Sequence, residues 1–144
     1  MLFHGIHDHS LDAKNRLTIP AKARRHLEDG VTLWLGFEHC VSVWPSADYA
    51  QIAQQALHGL NPLGKEARDL KRHLFGNTVA TELDSAGRIA LPPAFAAHAD
   101  ISKDVKVLGA GECLELWNPE AWAAQNDGLI DRAADHIANV GHPA

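Results

Sequence analysis

Long hydrophobic runs are missing from this chain. No stretch approaches the roughly 18 apolar residues that a membrane-crossing helix requires. The start, Met1-Leu-Phe-His-Gly, has neither the basic region nor the apolar stretch of a signal peptide. These two absences set the expectation of a cytoplasmic protein with no membrane partner. Cysteine is scarce: Cys40 and Cys113 are the only two, and no C-x-x-C exists, which removes thiol-redox and cysteine-based zinc motifs. A disulfide suits the cytosol poorly, so both are expected as small core residues. H-E-x-x-H, G-x-S-x-G and a phosphate-binding loop are also absent. Gly109-Ala110-Gly111 lacks the third glycine and the following helix of a dinucleotide fingerprint. No catalytic residue, no metal ligand set and no cofactor are expected.

Positive charge is in deficit. Thirteen Lys and Arg against 18 Asp and Glu leave a net charge of −5, which argues weakly against nucleic acid. The distribution matters more. Residues 1–49 carry five basic and six acidic side chains, residues 50–80 four and two, and residues 81–144 four and ten. The acid is concentrated in the C-terminal half, so a basic face can survive on the N-terminal half.

What the chain does contain is a duplication. Leu11, Asp12, Arg16 and Pro20 return as Leu83, Asp84, Arg88 and Pro92, all 72 residues on. Past one inserted residue, Gly36, Cys40, Trp44 and Tyr49 return as Gly109, Cys113, Trp117 and Trp122, all 73 on. Matches held at a constant offset mark one structural unit used twice. Each unit is near the lower size limit for folding alone, so one merged core is expected.

In the first copy, Leu17-Thr-Ile19 alternates as a strand and stops at Pro20. Ala21 to Leu27 reads as a short helix closed by Gly30. Val31–Leu35 and Cys40–Trp44 are strands around the turn Gly36–His39, and Ser46 is a candidate N-cap for the next helix. The second copy repeats this with strands Arg88–Leu91, Val105–Leu108 and Cys113–Trp117. There Asn118-Pro119 opens a closing helix towards Asn139, weakened at Gly128. Between the copies, Asn61-Pro62 precedes a helix with Leu63, Ala67, Leu70 and Leu74 on one face and Lys65, Arg68, Lys71 and Arg72 on the other. The class expected is mixed and mainly β with flanking helices. A three-strand unit leaves edges and a bare apolar face, and two copies can close each other's sheet into a small barrel.

One constellation carries functional weight. Asp12-Ala-Lys-Asn-Arg16 reads as a tight turn in which Asn15 takes a left-handed conformation, and Gly87 does the same in the second copy. Asp and Arg brace the turn, or Arg is presented to an anion, or both. Lys14, Lys22, Arg24 and Arg25 surround Arg16, whereas the second copy has Ala86, Ala94, Ala96 and Ala97 at those places. The scaffold is retained while the charge is not, which suits an anion-binding role in the first copy. Five basic residues in twelve positions fit a phosphate backbone, and Arg can also read guanine edges. The short helix opened by Pro20 adds its N-terminal amides to the same region. His4, His7 and His9 are close in sequence, but no fourth ligand is apparent for zinc. A surface role near a negatively charged partner suits them better.

These residues, from Met1-Leu-Phe-His-Gly through Leu11-Asp-x-Lys-x-Arg-Leu-x-Ile-Pro-Ala-Lys22 to Glu82-Leu-Asp-x-x-Gly-Arg-Ile89, with strand ends Trp44-Pro45 and Trp117-Asn-Pro119, resemble the MraZ family of bacterial transcriptional regulators. The likeness covers essentially the whole chain and is least clear after Asn118. It implies two AbrB-like swapped-hairpin units folded into one pseudo-twofold β-barrel protomer. Residues 1–49 would be the first repeat, 50–80 a helical connector, and 81–144 the second repeat with its C-terminal helix. It also implies a ring-shaped homo-oligomer, nucleoid-associated, that binds double-stranded DNA at direct repeats in the promoter of the division and cell-wall gene cluster. By matching positions, the DNA-binding role carries to Arg16, then to Lys14 and the short helix with Lys22, Arg24 and Arg25. Arg88 carries the motif without basic neighbours. Asp12, Asn15, Asp84 and Gly87 are the turn scaffold, with Asn15 standing where the family usually has glycine. The rival reading from another class is an AbrB-like antitoxin or protein-interaction module, for which the C-terminal helix is the one candidate tail. A small metal-dependent enzyme built on the histidines is a third.

Overall fold

The structure is a computed structural model that describes residues 2–140. Met1 and residues 141–144, the end of the expected second repeat, lie outside the described residues. The first copy contributes β1 (Ile6–Ser10), β2 (Arg16–Thr18), α1 (Ala21–Arg24) running into a 3-10 turn at Arg25–Leu27, β3 (Val31–Trp34), β4 (Val41–Pro45) and α2 (Ser46–Leu57). A connecting helix, α3 (Lys65–Lys71), ends in a wider π turn at Arg72–Gly76. The second copy contributes β5 (Thr78–Thr81), β6 (Arg88–Ala90), α4 (Pro93–His98), β7 (Asp104–Gly109), β8 (Leu114–Trp117), α5 (Pro119–Asn126) and α6 (Leu129–Val140).

The strands form an antiparallel six-stranded sheet in the order β1-β7-β8-β4-β3-β5 and a separate two-stranded sheet, β2-β6. Exchanging the copies turns the six-strand order into its own reverse, so the chain has a pseudo-twofold axis. The leading strand of each copy pairs with the hairpin of the other: β1 lies on β7, and β5 lies on β3. Across the axis Leu17 is in register with Ile89, and both are fully buried. The expected barrel is not closed by hydrogen bonding among the described residues. The six-stranded sheet is open, with β1 and β5 at its edges, and β2-β6 joins neither edge. Two strands were not foreseen from the pattern. β1 reads Ile-His-Asp-His-Ser and β5 reads Thr-Val-Ala-Thr, and as half-solvated edge strands neither needs an apolar alternation to hold its place.

Alternation along the hairpins builds the core. Val31, Leu33, Val41, Val43, Val107, Leu114 and Leu116 point inward to one cluster that also takes Leu17, Ile19, Ile89 and Leu91. Burying each such side chain contributes about 1.5–3 kcal/mol before chain entropy is set against it. The opposite face takes the helices. Trp34 packs on Tyr49 and Ala53 of α2 and on Leu74, and its indole N–H donates to the His73 carbonyl at 3.0 Å. In the second copy Trp117 packs with Leu108 and Cys40 against Ala121 and Trp122 of α5. Both cysteines are buried and free.

Helix ends differ in instructive ways. Asn118 caps α5 as expected, accepting from the backbone N–H groups of Glu120 and Ala121 at 2.8 and 3.0 Å. Ser46 does not cap α2. Pro45 occupies that place, and the Ser46 hydroxyl bonds Thr32 Oγ1 at 2.9 Å, tying the helix to β3. The closing helix is broken outright at Gly128, whose φ of 70° is left-handed. Arg132 then donates to the carbonyls of Asp127 and Gln125 at 2.6 and 2.5 Å, satisfying the end of α5.

The N-terminal segment is seated by close backbone approach. Phe3 bridges to Gly111, and the Gly109 N–H donates to the Gly5 carbonyl at 2.7 Å. A Cβ on Gly109 would overlap the backbone of Phe3 and His4. Overpacking of this kind costs about 1–3 kcal/mol. Gly109→Ala is expected to lower the thermal midpoint by about 3–10 °C, followed by circular dichroism. Gly76→Ala is the control, since a Cβ there meets nothing within 4 Å. An unchanged midpoint for Gly109→Ala would mean that residues 3–5 are not seated on this turn.

Candidate nucleic-acid interface

Two turns of the same construction lie at opposite ends of the β2-β6 ladder. In the first, Asp12 Oδ1 accepts from the backbone N–H groups of Lys14 and Arg16, each at 2.9 Å, and Asp12 Oδ2 accepts from Arg16 Nε at 2.8 Å. In the second, Asp84 Oδ1 accepts from Ala86 and Arg88, each at 2.9 Å, and Oδ2 from Arg88 Nε at 2.8 Å. The carboxylate is thus a clamp for a turn that its arginine closes. Backbone donors, first of all the N–H of Arg16 or of Arg88, hold each aspartate below its ordinary pKa, so both stay charged as the clamp requires. The fourth residue of each turn is left-handed: Asn15 at φ 56° and Gly87 at φ 76°.

Each turn is also sewn to the other copy. The Ile19 N–H donates to the Gly87 carbonyl and the Leu91 N–H to the Asn15 carbonyl, both at 2.9 Å. Arg88 Nη1 lies 3.9 Å from Asp12 Oδ2, so the second arginine leans towards the first clamp. Arg24 completes this junction. Its Nε donates to the Ile19 carbonyl at 2.9 Å. A Cβ on Gly87 would strike the Arg24 side chain, within 2.6 Å of its Cδ and 2.7 Å of its Cζ. A side chain at Gly87 would therefore displace Arg24 from its bond to the Ile19 carbonyl, in addition to the strain of a positive φ. The counterpart of Arg24 in the second copy is Ala96, and the turn on that side carries Asn15. Sequence reasoning missed this role of Arg24; the signal available was that glycine and asparagine trade places when arginine and alanine do.

The remaining cations of the first copy are displayed. Lys14, Lys22 and Arg25 are exposed, while Arg16 and Arg24 are half-buried. Among the described residues, Lys14, Lys22, Arg24 and Arg25 have no carboxylate within ion-pair distance, as the pairs that form are all elsewhere. The connecting helix differs. Lys65 and Arg72 share Asp69 at 2.5 and 3.1 Å, and Arg68 donates to the Leu63 carbonyl at 2.5 Å. Among the described residues Arg68 and Lys71 of that helix also lack a carboxylate partner, but beside Asp69 and Glu66, whereas the turn and α1 of the first copy gather Lys14, Lys22, Arg24 and Arg25 within twelve positions of sequence. The equivalent surface of the second copy is alanine.

The other groups singled out by sequence do not converge. His7 and His9 lie on one side of β1 with ring centroids 6.4 Å apart. Among the described residues no three His, Cys, Asp or Glu side chains are grouped to hold a metal ion. Burial, with the nearby Glu115, pushes the Cys40 thiol well up, and burial pushes Cys113 up to about 12. Neither is a thiolate nucleophile at neutral pH. No helix among the described residues is long and apolar enough to cross a membrane.

Comparison with known proteins agrees with the duplication. The family described as "MraZ protein, putative antitoxin-like" matches twice, over residues 2–73 and 74–139, in step with the duplication. A transcriptional regulator MraZ of Lachnoclostridium phytofermentans is 32% identical over 140 residues, spanning 97% of this chain and 98% of its own. One from Marinomonas sp. is 36% identical over 92% of this chain and 91% of its own. One from Mycoplasma capricolum subsp. capricolum is 39% identical over 90% and 97%. These are regulators by name, not enzymes. With both halves matched by the family and relatives aligned along nearly its full length, the chain belongs to the MraZ family.

Proposed function

We propose that the chain is a sequence-specific DNA-binding transcriptional regulator. It occupies tandem repeats in the promoter of the division and cell-wall gene cluster as a ring-shaped homo-oligomer, in the cytoplasm and at the nucleoid. Its two AbrB-like swapped-hairpin units, expected at residues 1–49 and 81–144, extend to take in α2 and β5, which leaves α3 as the connector between them. The observation that carries the proposal is the uncompensated cation cluster of the first copy. Lys14, Lys22 and Arg25 project beside a braced turn on a chain that is acidic overall. Lys14, Lys22 and Arg25 contact phosphates, and Arg16 reaches a base edge from the turn with the part of its guanidinium that Asp12 leaves unbonded. Arg24 contributes charge from the junction it stabilises. Arg88 is the minor member, because its turn has no basic neighbours.

A net negative protomer with a small basic face binds generic DNA weakly. Several protomers on one scaffold convert weak contacts into affinity where the spacing of sites matches the spacing of protomers. Specificity then comes from that spacing together with base contacts.

Salt dependence tests the surface. About three phosphates per protomer and two engaged protomers give a log–log salt slope of roughly −5. Replacing the two exposed cations, Lys22→Ala with Arg25→Ala, removes about four contacts and flattens the slope by about three to four units. Preference among operator sequences should change little. A wild-type slope in this double variant would move the DNA surface elsewhere, with the exposed cations of α3 next in order.

The paired turns give a second test. Arg16→Ala and Arg88→Ala remove equivalent braces and should lower the thermal midpoint by similar amounts. In gel shifts, Arg16→Ala should lose discrimination between operator and scrambled DNA, whereas Arg88→Ala should retain most of it. Equal losses of discrimination from two equally folded variants would remove the assignment of the DNA face to the first copy.

A further inference from the structure

A groove of about 410 Å³ opens between the N-terminal segment and α1, on the flank of the DNA face proposed above. Small-molecule sites are typically about 300–1,000 Å³. The floor is apolar, with Leu2, Ala23 and Leu114 in its lining, the last two of them buried core residues. The rim is made of hydrogen-bond donors. Lys22, His4 and His7 stand exposed around it and His26 is half-buried, and no carboxylate lines it. The chain as a whole is acidic. Two concavities beside α3 reflect that: both carry Glu66, and one adds Asp69.

The rim groups are placed by the fold and are not spent within it. Among the described residues none of the four forms an ion pair. Asp8 follows His7 in sequence, but a strand turns successive side chains to opposite faces, and Lys106 holds Asp8 at 2.5 Å. The His7 ring lies over Gly5, where an added Cβ would be 3.1 Å from its Nε2. His26 stands edge-on to the buried Phe3, with ring centroids 5.4 Å apart. Each imidazole offers an N–H in either tautomer, and the lysine offers three with a charge. An apolar floor suits a hydrocarbon tail. Donors and a cation without a carboxylate suit an anionic head and reject a cationic one. We propose that this groove takes a small amphiphilic anion, an alkyl chain ending in a carboxylate or a phosphate. Its tail lies over Leu2, Ala23 and Leu114, and its head meets Lys22 and the histidines. Lys22 is also assigned to a DNA phosphate, so a bound head neutralises a DNA contact. Ligand and DNA then weaken each other by the same factor. The competition rests on the DNA surface proposed above, whereas the site itself does not.

Calorimetry on the full chain, with decanoate or decyl phosphate below their micelle concentrations, reads the site directly. One amphiphile per chain is expected, with a Kd of about 10–100 µM. Binding of either supports the site, and the tighter of the two names its head group. Acetate, the head alone, and decyltrimethylammonium, the same tail with a cation, should not bind in that range. Leu2 is 54% exposed, so Leu2→Glu sets a carboxylate in the wall without disturbing the core. It should keep the wild-type melt and lose binding at least about tenfold, and His4→Glu on the rim should act in the same way. No binding of either amphiphile to the wild type, equal binding of decyltrimethylammonium, or wild-type binding by both folded Glu variants overturns the site. In gel shifts, the saturating amphiphile should lower operator affinity about five- to tenfold. It should flatten the salt slope by about two units, one Lys22 in each of two engaged protomers, and leave DNA binding by Leu2→Glu unchanged from its ligand-free value. Binding that leaves wild-type operator affinity and slope as they were overturns the competition. A DNA surface that lies elsewhere shows without any ligand, in the Lys22 and Arg25 double variant, and is thereby told apart from failure of the groove.

Discussion

Neither copy of the repeat can complete its sheet from its own strands, and the rest of the molecule follows from that constraint. β1 finds its partner in β7 and β5 finds its partner in β3, while β2 and β6 pair only with each other. At the centre, the β2–β6 ladder buries apolar residues of both copies, with Leu17 against Ile89. The copies therefore fold as one core, although each is large enough to be matched separately by the family. Separating them would expose the leading strands and the inner faces of both hairpins.

Once the core is shared, the two Asp–Arg turns are held in a fixed relation. Each clamp is internal to its turn, but the carbonyl at each left-handed residue is bonded by the other copy. This explains why the motif is present twice even though charge surrounds it once. The brace serves the fold in both places. The function we propose is added in the first copy by residues around the brace, and the second copy keeps only the brace. Arg24 shows the two demands meeting in one side chain. It carries charge in the basic segment, and it also lies over Gly87 and bonds the Ile19 carbonyl.

Much of this was legible in the sequence because duplication made it so. The constant spacing of Asp, Arg and Pro located β2, β6 and the helices that follow them, and the alternation of Val31–Leu35 and Cys40–Trp44 located the hairpins. The Asn118 cap and the break at Gly128 were legible from local chemistry. What escaped was governed by distant contacts. β1 and β5 are strands because the other copy's hairpin offers an edge, and their own side chains are too polar to announce it. Ser46 looks like a cap but finds Thr32 instead. Barrel closure depends on where strand edges end up in space, and the edges remain at β1 and β5. The packing role of Arg24 lies in a contact with a residue 63 positions away, which charge counting cannot reveal.

The central claim is that the first copy carries the DNA surface on a scaffold common to both. Amide hydrogen exchange of the full chain, measured with and without duplex DNA from its own upstream region, tests this most directly. The account predicts slowed exchange on DNA across residues 12–25 and little change across residues 84–97. Equal protection of both turns, or protection confined to residues 65–72, would contradict it.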